Sequence, residues 1–292
     1  VVKAIWEKKV SDSPSPSPSP SPAPQLPVIP EEDEYDGIVL EDDEGTTKEE
    51  KEESGLRIVE IKSEKDSNDI KATIKGDYQK ELESDSAVIS LKSNQVSYNI
   101  SSKDINIADI AKRLNVEDDE MDSLEIDIEI KGLDEERNSE LRKKADESNY
   151  EVIFEPISFN ITSRKISENG KVTEEIIDKF DNYIERIFRI PEGIDPEKVT
   201  TGVVYRADGS FTHAPTTVYE EDGAYYAKVK SLTNSIYTLI SNEIEIESVK
   251  NHWAETPVNA LAKRLVIKEP NQFNPEGFIT RGSFAEYITK AI

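Results

Sequence analysis

A strict alternation of proline with serine, ending in Ala-Pro, occupies Ser13 to Pro24. Proline fixes the backbone angle φ and has no N–H to donate, so this segment forms neither a helix nor a sheet. The pattern predicts extended polyproline II, a semi-rigid spacer of about 35–40 Å at about 3.1 Å per residue. The alternative interpretation is that this segment is a ligand for a domain that binds proline-rich sequences. Folded parts of the chain are therefore expected on either side of this segment.

An acidic tract follows from Glu31 to Glu53, with 13 acids and 2 lysines, a net charge of −11. Such a tract cannot bury enough apolar area to offset its ordering entropy, so residues 13–54 are predicted to form a disordered linker. Its carboxylates could attract Ca²⁺, but the D-x-D-x-D-G spacing of a calcium loop is missing. The sequence favours a solvated spacer and predicts no metal site.

Charge and composition exclude several classes of function. The chain has 61 acids against 36 bases, a net charge of −25, which argues against nucleic acid and against an anionic membrane surface as partners. Without cysteine there can be no disulfide and no thiolate chemistry. No apolar run approaches the roughly 18 residues of a membrane span, so no membrane insertion is predicted.

The first residues, Val1 to Lys9, alternate apolar and polar side chains. Residues 1–12 are interpreted as the end of a preceding β-module, although an orphan strand of any β-domain would give the same pattern. The sequence starts without methionine or a signal peptide. We therefore expect an internal part of a longer, exported protein.

Residues 55–246 have the pattern of an antiparallel β-domain. Leu124 to Ile130 alternates strictly between apolar and acidic residues, which is typical of a half-buried strand. Three pairs predict hairpin turns, because each joins a residue that tolerates positive φ to a glycine: Asn169-Gly170, Asp208-Gly209 and Asp222-Gly223. Short strands at intervals of about 8–12 residues favour a sandwich. The other predicted strands are 56–61, 70–74, 87–91, 96–100, 152–162, 184–190, 201–205, 212–219, 224–230 and 235–240.

Two helices are predicted within this domain. One covers 105–114 with Asn106 as a plausible cap, and the other covers 134–148 with a thin apolar stripe of Leu141 and Ala145. A division into two subdomains near Gly132 is a further expectation.

From residue 247 to 292 the apolar period changes from 2 to 3.6. Thr256 is predicted as a helix cap with Pro257 at the first helical position, and Thr280 as the cap of a second helix. The loop between them offers Phe273, Pro275 and Phe278 for packing. The stripes predicted to be buried are Val258, Leu261, Ala262 and Leu265 on the first helix, and Phe284, Tyr287, Ile288 and Ala291 on the second. A helix-loop-helix of about 45 residues needs neighbours to be stable.

These residues resemble an S-layer homology (SLH) repeat of bacterial cell-surface proteins, Firmicutes-like in type. The resemblance rests on the order and spacing of these landmarks: His252-Trp253-Ala254-Glu255, Leu261-Ala262, Phe273-Asn274-Pro275, Ile279-Thr280-Arg281 and Phe284-Ala285. It implies non-covalent attachment to a pyruvylated secondary cell-wall polysaccharide, in an extracellular, cell-wall or S-layer location of a Gram-positive bacterium. Such repeats usually occur in threes, which implies further SLH repeats, in the same chain or in an oligomer, as partners.

The predicted ligand-binding residues are Arg281, Trp253, Thr280 and Glu255. Arg281 falls in the first turn of the second helix, where unpaired N–H groups and the helix dipole favour an anion. A guanidinium there can grip a carboxylate with two hydrogen bonds. Trp253 could offer a flat face to a sugar ring. The alternative is that Arg281 is a solvated surface arginine and that Trp253 fills the small core.

Two features depart from the family pattern. Gly282-Ser283 stands where the family has Ala-Glu, so the reciprocal capping box with Thr280 is lost. The glycine that normally follows the first helix is also missing, since Leu265 to Lys268 leads directly into Glu269-Pro270. This repeat could be a structural prong with a degraded ligand site.

The chain is therefore predicted to be mainly β with a small all-α module, and to be a non-catalytic anchoring segment without a cofactor. No catalytic motif is present, and His213 and His252 lie in unrelated elements. The alternative function is a glycan- or protein-binding β-module for which the SLH repeat is only the anchor. Exposed aromatic residues would indicate that alternative, and the candidates are Tyr205, Tyr219, Tyr225 and Tyr226. On strands such residues are more often core or cross-strand pairs.

Overall fold

The structure, a computed structural model, describes residues 37–40, 45–65, 67–167 and 170–291. Three segments lie outside the described residues: residues 1–12, predicted to be the end of a preceding β-module, the Ser-Pro spacer and residues 25–36. The strands are β1 (Ile38–Leu40), β2 (Thr46–Glu53), β3 (Leu56–Ser63), β4 (Ile70–Lys75), β5 (Val88–Lys92), β6 (Val96–Ser101), β7 (Leu124–Gly132), β8 (Glu151–Val152), β9 (Ile157–Ile166), β10 (Val172–Ile176), β11 (Lys179–Arg189), β12 (Thr201–Tyr205), β13 (Phe211–Ala214), β14 (Thr216–Glu221), β15 (Ala224–Thr233) and β16 (Ile236–Ser241). The helices are α1 (Gly76–Ser84), α2 (Ser102–Ile105), α3 (Ile107–Leu114), α4 (Glu135–Glu147), α5 (Glu255–Lys263) and α6 (Arg281–Ala291).

The strands form two sheets that pack face to face, so the predicted mainly-β sandwich with a C-terminal helical module is confirmed. Sheet A has the order β1-β4-β7-β9-β16-β12-β13, with β10 beside β9 and β8 beside β16. Sheet B has the order β14-β15-β11-β6-β5-β3-β2. Strand pairing is antiparallel except between β3 and β5, which β4 and α1 connect, in the part of the chain that the structure describes.

Strand β7 shows why the sequence folds this way. Ile126 and Ile128 are fully buried against the other sheet. Glu125 and Asp127 alternate with these residues and lie on the opposite face, where ion-pair partners cover them. Arg164 lies 2.8 Å from the Glu125 carboxylate and 3.1 Å from the Asp127 carboxylate. The two-residue period of the sequence therefore places apolar and charged side chains on opposite faces of the strand, as predicted.

One hydrophobic core joins the residues on both sides of Gly132, so the predicted division into subdomains there is wrong. Phe159 of β9 contacts Tyr98 of β6 with ring centres 5.0 Å apart and Phe188 of β11 at 6.0 Å. The physical reason is the pairing of β7 with β9, which continues sheet A directly across the proposed boundary.

The predicted linker (13–54) is too long at its C-terminal end, since it includes strand β1, which pairs with β4, and strand β2 (Thr46–Glu53). The charged strand β2 is the larger part. Its backbone pairs with β3 along its whole length. Its acids and lysines meet opposite charges there: Lys51 lies 2.8 Å from Glu60, and Arg57 lies 3.0 Å from Glu50. Repulsion within the tract predicted disorder, but the partner strand supplies both the backbone bonds and the neutralising charge.

The helices and turns follow local signals. Asn106 caps α3 by accepting a hydrogen bond from the backbone of Asp109, and Leu141 and Ala145 of α4 are buried, both as predicted. The predicted strand 212–219 is instead broken at Pro215. β13, before this proline, belongs to sheet A, and β14, after it, belongs to sheet B. Neither α1 nor β10 was expected from the sequence.

Helices α5 and α6 form a separate small module at the C-terminal end of the sandwich. Asn242 at the end of sheet A donates from its side-chain nitrogen to the carbonyl of Lys263 in α5 over 2.9 Å. No helix among the described residues is long and apolar enough to cross a membrane.

Candidate functional site

Helix α5 begins at Glu255, one residue before the predicted cap Thr256. Its first helical hydrogen bond runs from the N–H of Val258 to the carbonyl of Ala254, over 3.0 Å. The carboxylate of Glu255 accepts a hydrogen bond from the backbone N–H of Asn251 at 2.7 Å. The turn before the helix is thus fixed by Glu255, and Thr256 makes no cap. The predicted cap is wrong for this reason.

Helix α5 ends in a Schellman motif. The N–H of Val266 donates to the carbonyl of Leu261 at 3.0 Å, and the N–H of Leu265 donates to that of Ala262 at 2.9 Å. Leu265 has φ of 61°, the left-handed conformation that glycine usually supplies at this position. The missing glycine noted in the sequence is therefore replaced by a leucine in the same backbone conformation.

The module has a small core of its own. It consists of Ala262 and Ile267 together with Ile246 and Val249 from the segment before α5. Phe273 packs against this core, as predicted. Phe278 does not, because its side chain is fully exposed, so its predicted packing role is wrong.

A contact between His252 and Glu276 ties together the two loops that precede α5 and α6. The His252 Nε2 atom lies 3.1 Å from the Glu276 carboxylate, and His252 Nδ1 accepts from the backbone N–H of Ala254 at 3.2 Å. Glu276 was not singled out in the sequence, because nothing in the local pattern indicates a partner 24 residues away. The predicted ligand-binding residues lie in or next to these loops: Trp253 in the first, Glu255 at the start of α5, Thr280 at the end of the second and Arg281 at the start of α6.

Thr280 caps α6, as its position in the sequence predicted. Its Oγ1 accepts a hydrogen bond from the N–H of Ser283 at 3.0 Å and lies 2.9 Å from the Ser283 hydroxyl. The threonine half of the capping box is therefore present, and the Ser283 side chain bonds the Thr280 hydroxyl. Arg281 follows as the first residue of α6 and is exposed. Its guanidinium has no hydrogen-bond or ion-pair partner among the residues that the structure describes.

Trp253 is 88% exposed and lies beside His252, with ring centres 5.4 Å apart. The alternative that this tryptophan fills the core of the module is therefore wrong. Its indole presents a broad apolar face to the surroundings.

Helix α6 does not bury the apolar stripe that its sequence predicts. None of its residues is buried, and Phe284 and Ile288 are about half exposed. Local periodicity indicates which face is apolar but not what covers it, so this prediction is wrong for the described chain. The exposed apolar residues of the module are Trp253, Leu261, Phe278, Ile279, Phe284 and Ile288.

A cavity of about 910 Å³ lies where the module meets the sandwich. Its walls include Phe211 and His213 from β13 and Lys268 and Lys290 from the module. Burial lowers the pKa of His213 to about 4, with a smaller contribution from the charge of Arg264. Thr201 Oγ1 lies 2.8 Å from its Nδ1. No local pattern in the sequence indicates this cavity, since its walls come from two segments that are distant in the sequence.

The residues described include no cluster of His, Asp and Glu that could hold a metal ion. Comparison with known families gives one match: residues 249–285 match the model of the S-layer homology domain. No curated protein and no solved structure matches the chain.

Proposed function

Because residues 249–285 form an S-layer homology domain, a non-catalytic domain that attaches proteins to the cell surface, we propose that this chain docks onto a pyruvylated secondary cell-wall polysaccharide. The ligand contact is made by the N-terminal end of α6 and the loop before α5. Arg281 grips the ketal carboxylate, and Trp253 stacks on a neighbouring sugar ring.

The observation that carries this proposal is the unpaired guanidinium of Arg281. In a chain with 61 acids, the arginines and lysines of the sandwich are extensively paired, as Arg57 is with Glu50, Glu81 and Asp85. Arg281 instead extends from a helix N-terminus, whose free N–H groups add to the attraction for an anion. A planar carboxylate can accept two parallel hydrogen bonds from this group.

Thr280 and Glu255 have supporting roles in this account. Thr280 holds the first turn of α6 through its bond to Ser283, which fixes the direction from which Arg281 extends. Glu255 fixes the turn before α5 through Asn251, two residues before the indole of Trp253. Both residues therefore position the contact residues, and neither needs to touch the sugar.

Further SLH repeats, in the same chain or in an oligomer, are proposed to cover the exposed apolar face of α6. A face that contains Phe284 and Ile288 is costly to leave in water, at about 25 cal/mol per Å² of apolar surface. The core of four residues beneath α5 is too small to hold a 45-residue unit by itself.

The rest of the chain serves in this proposal as a non-catalytic stalk outside the cell, in the cell wall or S-layer. The sandwich holds the domain at a fixed distance from what precedes it, and the Ser-Pro segment acts as a spacer. The single core of the sandwich supports a rigid stalk, since residues from Val59 to Leu239 contribute to it.

Co-sedimentation of the protein with purified cell walls tests the proposal. Walls are compared before and after chemical removal of the pyruvate ketals, with the same protein concentration and salt. We expect binding to intact walls and loss of most of it after depyruvylation. Undiminished binding to depyruvylated walls would show that the ligand is another wall polymer.

A further inference from the structure

A shallow groove of about 380 Å³ crosses the outer face of sheet B, on the side away from the core. Residues from all seven strands line it, from Lys51 on the edge strand β2 to Tyr219 on the edge strand β14. At a strand spacing of about 4.8 Å, the two rims are about 29 Å apart. The groove is thus extended, and an elongated ligand fits it better than a compact one.

The strand register aligns its side chains in rows. Tyr219 lies opposite Tyr226, and Tyr226 lies opposite Arg189, which gives an aromatic row at one end. Towards the other rim, Asn99 lies opposite Ser90, and Ser90 opposite Glu60, in a polar row. The two rows are offset by four residues along β11, since Tyr226 lies opposite Arg189 and Asn99 lies opposite Glu185. Because both rows project from the same face of the sheet, a chain-like ligand that runs diagonally across the strands can contact both.

The ionised side chains in the groove cancel, although the chain as a whole has a net charge of −25. Three basic residues, Lys51, Lys92 and Arg189, accompany three acidic ones, Glu53, Glu60 and Glu221. Both lysines are held by Glu60, at 2.8 Å and 2.6 Å. Such a surface offers no excess charge to a polyanion or to a basic peptide. It matches an uncharged ligand.

What remains for a ligand is a set of neutral hydrogen-bonding groups. The Ser90 hydroxyl donates to Asn99 Oδ1 at 2.7 Å, which fixes the orientation of the amide. The Asn99 side-chain nitrogen then has two N–H donors and no partner among the described residues. Gln95 also lines the groove and accepts from Asn68 at 3.4 Å through Oε1, and its side-chain nitrogen has no partner among the described residues. Fixed amide donors suit the hydroxyl groups of a sugar.

The aromatic row supplies the apolar contact. Tyr219 and Tyr226 stack on each other with ring centres 5.6 Å apart and planes inclined by 26°. Lys228 lies 5.9 Å from the centre of the Tyr219 ring and restrains it from one side. The pair is a rigid, half-buried apolar surface beside polar groups, the combination that accommodates one face and one edge of a pyranose ring.

From these observations we infer that the outer face of sheet B is a binding site for a neutral oligosaccharide. The sugar chain lies across the strands, with one ring against Tyr226 and the hydroxyl groups of the next units bonded to Asn99 and Gln95. This site is separate from the S-layer homology domain, so the two can bind sugar independently.

The test is isothermal titration of the protein with three uncharged hexasaccharides, cellohexaose, chitohexaose and mannohexaose, and with an anionic comparator, hexagalacturonate. We expect at least one neutral hexasaccharide to bind with a single saturable site and the anionic one to bind at least ten-fold more weakly. Tyr226→Ala and Asn99→Ala should each lower the affinity at least ten-fold.

Tyr225 provides a matched control, since it is the neighbouring, 40% exposed tyrosine on the opposite face of β15. Tyr225→Ala should leave the affinity unchanged. Ser97→Trp, which fills the groove without removing any of the proposed contacts, should abolish binding while thermal unfolding shows an intact fold. Absence of binding for all three neutral sugars, or equal effects of Tyr226→Ala and Tyr225→Ala, would overturn the inference. A preference for hexagalacturonate would also overturn it.

Discussion

The backbone N–H of Val266 donates to the carbonyl of Leu261 over 3.0 Å, and this bond closes helix α5 around a left-handed leucine, Leu265. The left-handed conformation costs a residue with a Cβ atom about 1–2 kcal/mol. Elsewhere in the described chain this conformation falls on glycine or on short polar residues. The S-layer homology domain therefore contains a strained residue at the end of its first helix.

Leu265→Gly should be more stable than Leu265→Ala by about 1 kcal/mol. Both variants remove the same packing, but only glycine relieves the strain at positive φ. The same two changes at Leu261, within α5, should give the reverse order by a similar amount, because glycine is the poorer helix former there. Urea unfolding of the four variants measures the differences. Equal stability of the two variants at position 265 would show that the leucine is unstrained.

Arg186 is fully buried between three aromatic rings, with its guanidinium carbon 4.4 Å from the centre of the Tyr237 ring. Its Nη2 donates to the Thr233 carbonyl at 2.8 Å and to Asn234 Oδ1 at 2.7 Å. Those two acceptors are also bonded by tyrosine hydroxyls, from Tyr237 and Tyr98. Its Nη1 also donates to the Ile184 carbonyl at 3.2 Å. Two of its three acceptors therefore keep a tyrosine partner without it, and its main contribution is the volume that it fills between the sheets.

Arg186→Ala should destabilise the fold by about 3–5 kcal/mol, since it leaves a large cavity between the sheets. Arg186→Met should recover most of that loss, because it restores volume while the tyrosines keep the acceptors satisfied. Arg189→Ala, three residues later and exposed, should change stability by less than about 0.5 kcal/mol. Chemical denaturation measures the free energy of unfolding of the three variants. If Arg186→Met is as damaging as Arg186→Ala, the charge itself stabilises the core.

The stability of the protein should depend on His213 at mildly acidic pH. The pKa of His213 in the folded chain is about 4, below its ordinary value of 6.5, chiefly because burial disfavours the charged ring. The unfolded chain therefore binds more protons as the pH falls below about 6.5, so the contribution of this residue is present above that pH and is lost toward pH 4.

Between pH 7 and pH 5, the wild-type protein should lose about 1–2 kcal/mol more stability than His213→Gln, an amount that allows for partial exposure of the ring. The many carboxylates titrate in both proteins and cancel in this comparison. Thermal unfolding at both pH values gives the difference. Parallel losses in the two proteins would contradict a depressed pKa.

Much of the sandwich could be predicted because its strands carry a local period. In β7, the alternation of Ile126 and Ile128 with acids identifies the buried face without knowledge of the partner strand. The charged strand β2 could not be predicted in this way, because its stability comes from β3 and from the pairing of Lys51 with Glu60. Information of that kind is not contained in the segment itself.

The candidate site also has some features that are local in the sequence and others that depend on tertiary packing. The cap at Thr280 and the place of Arg281 at the start of α6 are local features, and the sequence indicated both. The exposure of Trp253 and the contact of His252 with Glu276 depend on tertiary packing. The groove on sheet B could not be predicted from the sequence either. Tyr226 lies opposite Arg189 only because of the register between β15 and β11, two strands that are separated in the sequence.

The affinity of Arg281 variants for intact cell walls tests the central claim most directly. Removal of a charged hydrogen bond costs about 1.5–3 kcal/mol, so Arg281→Ala should weaken binding at this repeat about 10- to 150-fold. Arg281→Lys should rescue little, because a point charge lacks the planar fork. Arg264→Ala, an exposed arginine at the other end of α5, should have no effect. If Arg281→Ala binds walls as tightly as the wild-type protein, this repeat is a structural prong and the polysaccharide binds elsewhere.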